Sequence, residues 1–353
     1  MSSVVAVAPV LAPHAYGQAA ITAAIAPLLT IDPDRRALLD RVHASSGVRT
    51  RHLALPLERY AGLTSFGDAN DEFVAIGTEL ASEAVTRALQ GAGLAPGDVD
   101  LLLFTTVTGV SAPSLDALLV ERVGLRPDVR RLPTFGLGCA GGAAGLALCD
   151  GYLAGHPDQV ALLVSVELCS LTIQHGDDSP ANLVASGLFG DGAAAAVVVG
   201  DAHRRAPGAV RVVGSASRLY GGTAAELGWD VGGTGFRIVL SPGLPDVIRD
   251  NLRDDVETFL RRHELKIRDV TAWITHPGGP RILEAIREAL DLDREALRRA
   301  ERHLARVGNL SSASVLHVLG DHLEARHPAG SWGLAIAFGP GVGSELVLLR
   351  WEG

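Results

Sequence analysis

The chain has 353 residues, of which 47% are hydrophobic and 20% charged, and a formal net charge of −9. That length exceeds one typical core and predicts two domains or two fused halves. The negative balance argues against nucleic acid or an anionic membrane as the general partner, while leaving room for a local basic patch.

The amino end, MSSVVAVAPVLAPHAYGQAA, carries no basic residue ahead of its apolar stretch, which predicts no secretory signal. Residues 70–93, NDEFVAIGTELASEAVTRALQGAG, read as a helix with Gly91 and Gly93 as carboxyl-terminal stops. Residues 99–110 (VDLLLFTTVTGV), 160–170 (VALLVSVELCS) and 192–200 (GAAAAVVVG) are apolar runs bounded by Gly or Asp. Such runs predict strands covered on both faces. A second helix is predicted over 279–300, GPRILEAIREALDLDREALRRA, between strands over 270–279 (VTAWITHPGG) and 332–341 (WGLAIAFGPG). No apolar run is long enough to cross a bilayer. The alternation predicts an α/β fold with sheets buried between helices.

GLFGDGAAAAVVVG (187–200) and IAFGPGVGSELVLLRW (336–351) share Phe-Gly-x-Gly leading into an apolar strand. Each closes one half of the chain, which points to an internal duplication. The link GDAHRRAPGA (200–209) then divides it into halves 1–205 and 206–353.

Three cysteines without paired or metal-like spacing fit a reducing cytoplasm better than a disulfide scaffold. Cys139, in GLGCAGGAAGLAL, stands between glycines where a helix begins. A helix amino end lowers a thiol pKa, and the thiolate is the form that attacks acyl groups. The competing reading is a small residue in a Gly-rich packing contact. His203, His263 and His327 sit in charged settings and read as surface residues. His276 instead follows an apolar strand, before a Pro-Gly-Gly turn that is expected to leave its ring uncovered. Asn309, in RVGNLSSASVL, is either an ordinary N-cap or the third member of a shared site.

GCAGG, LFGDGAAA, HPGGPRIL, GNLSSASVL and FGPG, in this order, resemble the type III polyketide synthases, the chalcone-synthase-like branch of the thiolase fold. The resemblance runs over nearly the whole chain. It implies duplicated halves in a layered α-β-α-β-α architecture, a homodimer, and acyl- and malonyl-coenzyme A as substrates, with no metal or other cofactor. It implies Cys139 as the acyl-carrying nucleophile, with His276 holding it as a thiolate, and His276 and Asn309 as donors to the enolate left by decarboxylation. Phe189 and Phe236 match gatekeeper positions. Val107, Ala112, Glu167, Cys169, Thr172 and Ser311 match cavity positions, and Arg41, Gly278 and Gly279 match coenzyme contacts.

Two further basic positions of the plant pattern fall on Leu38 and Ser45, so the phosphate grip passes to Arg35, Arg36, Arg49 or Arg51, for which a solvated face is the competing reading. Glu167 and Ser311 match a hydrogen-bonded relay linked to aldol closure, but its threonine is replaced by Val107. TTVTGVSAPSLDALL and GWDVGGTGFRIVLS are similar to bacterial members that extend fatty acyl-coenzyme A into alkylpyrones or alkylresorcinols. Small residues, Ala112 and Gly235, are expected to leave room for an alkyl chain. The alternatives are a malonyl-coenzyme A-only synthase such as a tetrahydroxynaphthalene synthase, a single-condensation ketoacyl synthase III-like enzyme, a Cys-His-Asn hydrolase, or a non-catalytic binding protein.

Overall fold

The uninterrupted apolar runs become strands with both faces covered, because their neighbours on either side are helices rather than water. The computed structural model describes residues 1–206 and 208–352. Its first part contains β1 (Ser2–Leu11), β2 (His14–Gly17), α1 (Gln18–Leu29), α2 (Pro33–Ser45), β3 (Thr50–Leu53), α3 (Phe66–Ala92) and β4 (Leu101–Thr106). It continues through α4 (Leu115–Val123), β5 (Arg130–Phe135), α5 (Gly141–Ala154), β6 (Val160–Leu168), α6 (Pro180–Leu188) and β7 (Asp191–Gly200). The second part contains β8 (Val210–Leu219), β9 (Leu227–Gly232), β10 (Gly235–Leu240), α7 (Leu244–Arg261), β11 (Val270–Thr275) and α8 (Pro280–Leu290). It ends with α9 (Arg298–Val307), α10 (Ser312–Glu324), β12 (Trp332–Gly339) and β13 (Gly343–Trp351).

Nine strands form one sheet in the order β11-β12-β13-β8-β1-β7-β6-β4-β5. The two halves of this order mirror each other. β4 runs parallel to β6, which is antiparallel to β7, which is antiparallel to β1. Likewise β11 runs parallel to β12, which is antiparallel to β13, which is antiparallel to β8. The halves join where Ser2–Val4 of β1 pair with Val210–Val212 of β8.

Side chains alternate across each strand, and the alternation assigns the layers. Leu101 and Leu103 face a core shared by α5, α10 and the inner faces of β12 and β13. Leu102 and Phe104 face the opposite core, with Phe73, Leu80 and Ala84 of α3. On the other half, Leu334, Ile336 and Leu348 pack against Ile248 and Leu252 of α7 and Ile286 of α8. The result is the expected α-β-α-β-α stack, with α5 and α10 at its centre. α5 crosses α10 so closely that a Cβ on Gly142 would stand 2.3 Å from the Ser312 carbonyl oxygen. The glycines of GCAGG therefore serve close packing as well as a turn.

The first predicted helix is α3, whose capping box (Ser65, Asp68) starts it earlier than expected and whose end is capped by Gly93 at φ 62°. The helix predicted over 279–300 is broken in two. Asp291 adopts φ 53°, which ends α8, and Asp293 caps the following turn through the Ala296 amide at 2.9 Å.

Candidate active site

Cys139, His276 and Asn309 are each placed by a turn that leaves the central layer. Cys139 lies in a 3₁₀ turn, Gly138–Ala140, immediately before α5. Gly138 has φ 51°, and a Cβ there would come within 2.5 Å of Pro340 in the FGPG turn. His276 follows β11, and its amide donates to the Ile336 carbonyl at 2.8 Å. Asn309 precedes α10 as Cys139 precedes α5, the equivalent helix of the other half. Its amide donates to the Leu188 carbonyl, and its carbonyl accepts from Gly190, both at 2.9 Å. Asn309 is thereby bridged to the backbone of Phe189.

The Asn309 and Cys139 side chains are linked through a short chain of contacts, which reaches the His276 loop at Gly278. Asn309 Nδ2 donates to the Gly278 carbonyl at 3.4 Å, and Asn309 Oδ1 accepts from the Ser311 amide at 2.8 Å. Ser311 is held at φ 46°, a strained conformation for a non-glycine residue. Its Oγ lies 3.6 Å from Cys139 Sγ, which donates to it. The Ser311 amide fixes the Asn309 amide with its oxygen inward to the backbone, leaving Nδ2 as the outward donor.

The electrostatics differ from the sequence expectation. Burial pushes the Cys139 thiol up to about 12, against the opposing pull of the Ser311 hydroxyl and the Asn309 amide. Burial also lowers His276 to about 3. Far from being uncovered, the His276 ring is only 3% exposed, and neither ring nitrogen has a partner among the described residues. Both shifts disfavour the charged forms, most strongly at His276, since the Cys139 side chain itself is only half-buried.

Glu167 is fully buried in a hydroxyl cage. It accepts from Thr106 Oγ1 at 3.3 Å, the Val107 amide at 3.1 Å, Thr108 Oγ1 at 2.9 Å and the Ser312 hydroxyl. The predicted relay through Ser311 and position 107 is thus displaced by one residue on each side. Ser311 bonds to Cys139 instead, and Val107 contributes its backbone amide, which requires no polar side chain.

Burial raises the Glu167 carboxyl from the ordinary 4.5 to about 7. The folded protein therefore holds this proton more tightly than the unfolded chain. The resulting stability is complete below about pH 4.5 and is lost as pH rises through about 7. Relative to Glu167→Gln, wild type is expected to lose roughly 2–3 kcal/mol between about pH 5 and 8, most of it below about pH 7, where the slope approaches about 1.4 kcal/mol per pH unit. Urea midpoints across that range check this, and parallel pH profiles for the two proteins would refute it.

Beside the site is a cavity of about 40 Å³, lined by Phe189, Cys169 and Thr172 as the resemblance implies. Its walls also include Arg51, Tyr60, Ser170, Asn182, Ser186, Trp229 and Ile238. Phe236 does not line it. That ring is buried among Phe66, Phe135 and Trp229. Ala112 lies on an exposed turn between β4 and α4, away from the cavity. Gly235 leaves no room, since a Cβ there would stand 2.7 Å from Phe66.

Gly278 supplies its carbonyl to Asn309, and Gly279, at φ 148°, caps α8. The end of α2 reaches this corner, with Gly47 against Pro280, and Arg41 is exposed on that helix. Arg35 and Arg49 are exposed as well, and Arg36 pairs with Asp40 at 3.3 Å. Arg51 is no surface residue: it is 3% exposed and donates to the Phe189 carbonyl at 2.7 Å. His203, His263 and His327 are half-buried.

Sequence reasoning missed Tyr60, Asn182 and Trp229, which come from separate elements with no local signature. Asp191 was legible as part of FGDG but not in its role. It accepts from the amides of Ala54 at 2.6 Å and Ser170 at 2.8 Å and from the Ser170 hydroxyl, so it holds three segments of the cavity wall together.

Comparison with known proteins identifies the family and agrees with the fold. Residues 28–202 match the family model "Chalcone and stilbene synthases, N-terminal domain", and residues 212–351 match the corresponding C-terminal domain. The chain is 54% identical over 352 residues to 1,3,6,8-tetrahydroxynaphthalene synthase of Streptomyces peucetius subsp. caesius, covering 99% of this chain and 93% of that protein. It is 33% identical to the alpha-pyrone synthesis polyketide synthase-like Pks18 of Mycobacterium tuberculosis, covering 91% of this chain and 84% of the relative. Among solved structures, 1,3,6,8-tetrahydroxynaphthalene synthase of Streptomyces coelicolor A3(2) superposes with a TM-score of 0.93 at 30% identity, covering 99% of each chain. The chain belongs to the chalcone and stilbene synthase family, the type III polyketide synthases, which are acyl-transferring condensation enzymes.

Proposed function

We propose that this enzyme condenses malonyl-coenzyme A alone, as both starter and extender, into a 1,3,6,8-tetrahydroxynaphthalene-type product. The carrying observation is the 54% identity, across nearly the whole chain, to a synthase of that name. The cavity offers polar groups consistent with that reading. Arg51, Tyr60, Ser170, Thr172, Asn182 and Ser186 can meet the oxygens of a polyketide, although Ile21, Ile25, Leu53, Ile173 and Ile238 make much of the same wall aliphatic. The malonyl-only alternative is therefore better supported than the alkyl-starter reading, to which the 33% identity with an alpha-pyrone synthase still lends some weight.

Cys139 attacks the thioester carbonyl, passing its proton to His276 as the substrate enters, and coenzyme A leaves as the thiol. The next malonyl group loses carbon dioxide, and His276 and Asn309 Nδ2 donate to the enolate oxygen that forms. The enolate carbon attacks the Cys139 thioester, and the longer chain returns to the sulfur. Loss of carbon dioxide drives each bond, so coenzyme A thioesters suffice without a metal or other cofactor. Phe189, backbone-locked to Asn309, gates the cavity, and Phe236 braces it from behind. Glu167, Val107, Cys169, Thr172 and Ser311 shape the chamber. Arg41, Gly278 and Gly279 border the coenzyme path.

The halves 1–205 and 206–353 act as one catalytic unit in a cytoplasmic homodimer. β5, an edge strand with exposed Leu132 and Phe135 and with Val110 in the groove beside it, is the surface that a second copy covers. Among the described residues, no helix is long and apolar enough to cross a membrane.

Mass spectrometry of products from ¹³C-labelled malonyl-coenzyme A, with and without unlabelled acyl-coenzyme A starters, tests the assignment. The expected product takes every carbon from malonyl units. Products formed only when an alkyl starter is supplied would overturn it.

A further inference from the structure

We infer that Arg51 recognises the carboxylate at the far end of a malonyl-primed chain and so makes the cavity selective for an anionic starter; this rests on the malonyl-only reading above.

A buried guanidinium is costly unless its charge is compensated. Arg51 is buried, yet its partners among the described residues are neutral: Gln18 Oε1 at 3.1 Å and the Phe189 carbonyl at 2.7 Å. Its Nη2 is buried without any partner. The nearby Asp191 carboxylate balances part of this charge, but its oxygens accept from Ala54 and Ser170 and leave the Arg51 Nη2 without a hydrogen bond. Arg51 also lines the cavity, which shares Phe189 with the catalytic corner. Burial lowers its pKa only to about 10, so it remains a cation near neutral pH. A buried cation with an unpartnered donor, on the wall of the cavity beside the acylation site, suits a carboxylate. A malonyl starter keeps a carboxylate at the end remote from Cys139, and extension at the thioester pushes that end inward. A hydrogen bond to a charged group in such a site is strong enough to shift starter preference by about 10-fold or more.

The test measures kcat/KM for malonyl-only synthesis and for hexanoyl-primed synthesis in wild type, Arg51→Met and Arg51→Gln. Both variants should lower the malonyl-to-hexanoyl ratio by at least about 10-fold. A purely structural role, acting through the Phe189 carbonyl, would lower both rates in parallel, and that outcome overturns the inference. An unchanged ratio overturns it equally. A measurement on wild type remains decisive if the variants fail to fold. Glutaryl-coenzyme A should inhibit malonyl-only synthesis at least about 10-fold better than valeryl-coenzyme A, which has the same chain length but no carboxylate. Equal inhibition would overturn the inference. Failure of wild type to make any malonyl-only product would instead remove the underlying function, a result distinguishable from the others.

Discussion

Cys139→Ala is expected to abolish chain extension, a loss on the order of 10³-fold or more, while still allowing malonyl-coenzyme A to lose carbon dioxide. The separation follows from the site's construction. Acyl transfer requires a sulfur, but enolate stabilisation requires only the donors of His276 and Asn309, which a methyl at position 139 leaves standing. Cys149→Ala is the matched control. Cys149 lies inside α5, fully buried against the central core, and burial raises its thiol to about 12 with no route to a substrate. Cys169 reaches the cavity, but burial and the charge of Glu167 push its thiol well up. Product formation and carbon dioxide release, measured in parallel, check the prediction. Equal synthesis by the two variants would remove Cys139 from the mechanism, and loss of decarboxylation in Cys139→Ala would tie the thiol to that step as well.

Much of the fold was legible because its strands are covered on both faces and read as plain apolar runs between helices. β5 was not, since RRLPTF is an edge strand with mostly exposed residues and carries a proline. β1 was missed for a different reason: its pairing with β7 joins residues some 190 positions apart, beyond any local pattern. The catalytic positions were found because each stands at a glycine-flanked junction. The burial of the His276 ring was not, because it depends on distant elements such as β12, whose Ile336 carbonyl accepts from the His276 amide. The relay shows the resolution limit. Ser311, at φ 46°, stands outside α10 and Ser312 is its first residue, so their side chains diverge, and exchanging Ser312 for Ser311 as the Glu167 partner redirects the whole network. Arg51 was read among solvent-facing arginines, although it sits in a short strand whose alternate residues turn inward.

Asn309→Asp separates donor from charge at the enolate site. In wild type the Ser311 amide occupies Oδ1, so Nδ2 faces the Gly278 carbonyl and the substrate side. Aspartate places a second oxygen there, 3.4 Å from a carbonyl oxygen and directed at the developing enolate. Position 309 is only 1% exposed, so water cannot screen the repulsion. Decarboxylation is expected to fall roughly 10²–10³-fold near pH 8, below the rate of Asn309→Ala, which loses the donor without adding charge. Burial must also raise the pKa of the new carboxyl. Lowering the pH then restores an O–H donor, and the Asp variant should recover toward or past the Ala variant, whose own profile stays that of wild type. Carbon dioxide release from malonyl-coenzyme A across pH 5.5 to 8.5 reads this directly. A wild-type rate for Asn309→Asp, or equal rates for Asp and Ala at every pH, would mean that Asn309 does not face the enolate oxygen.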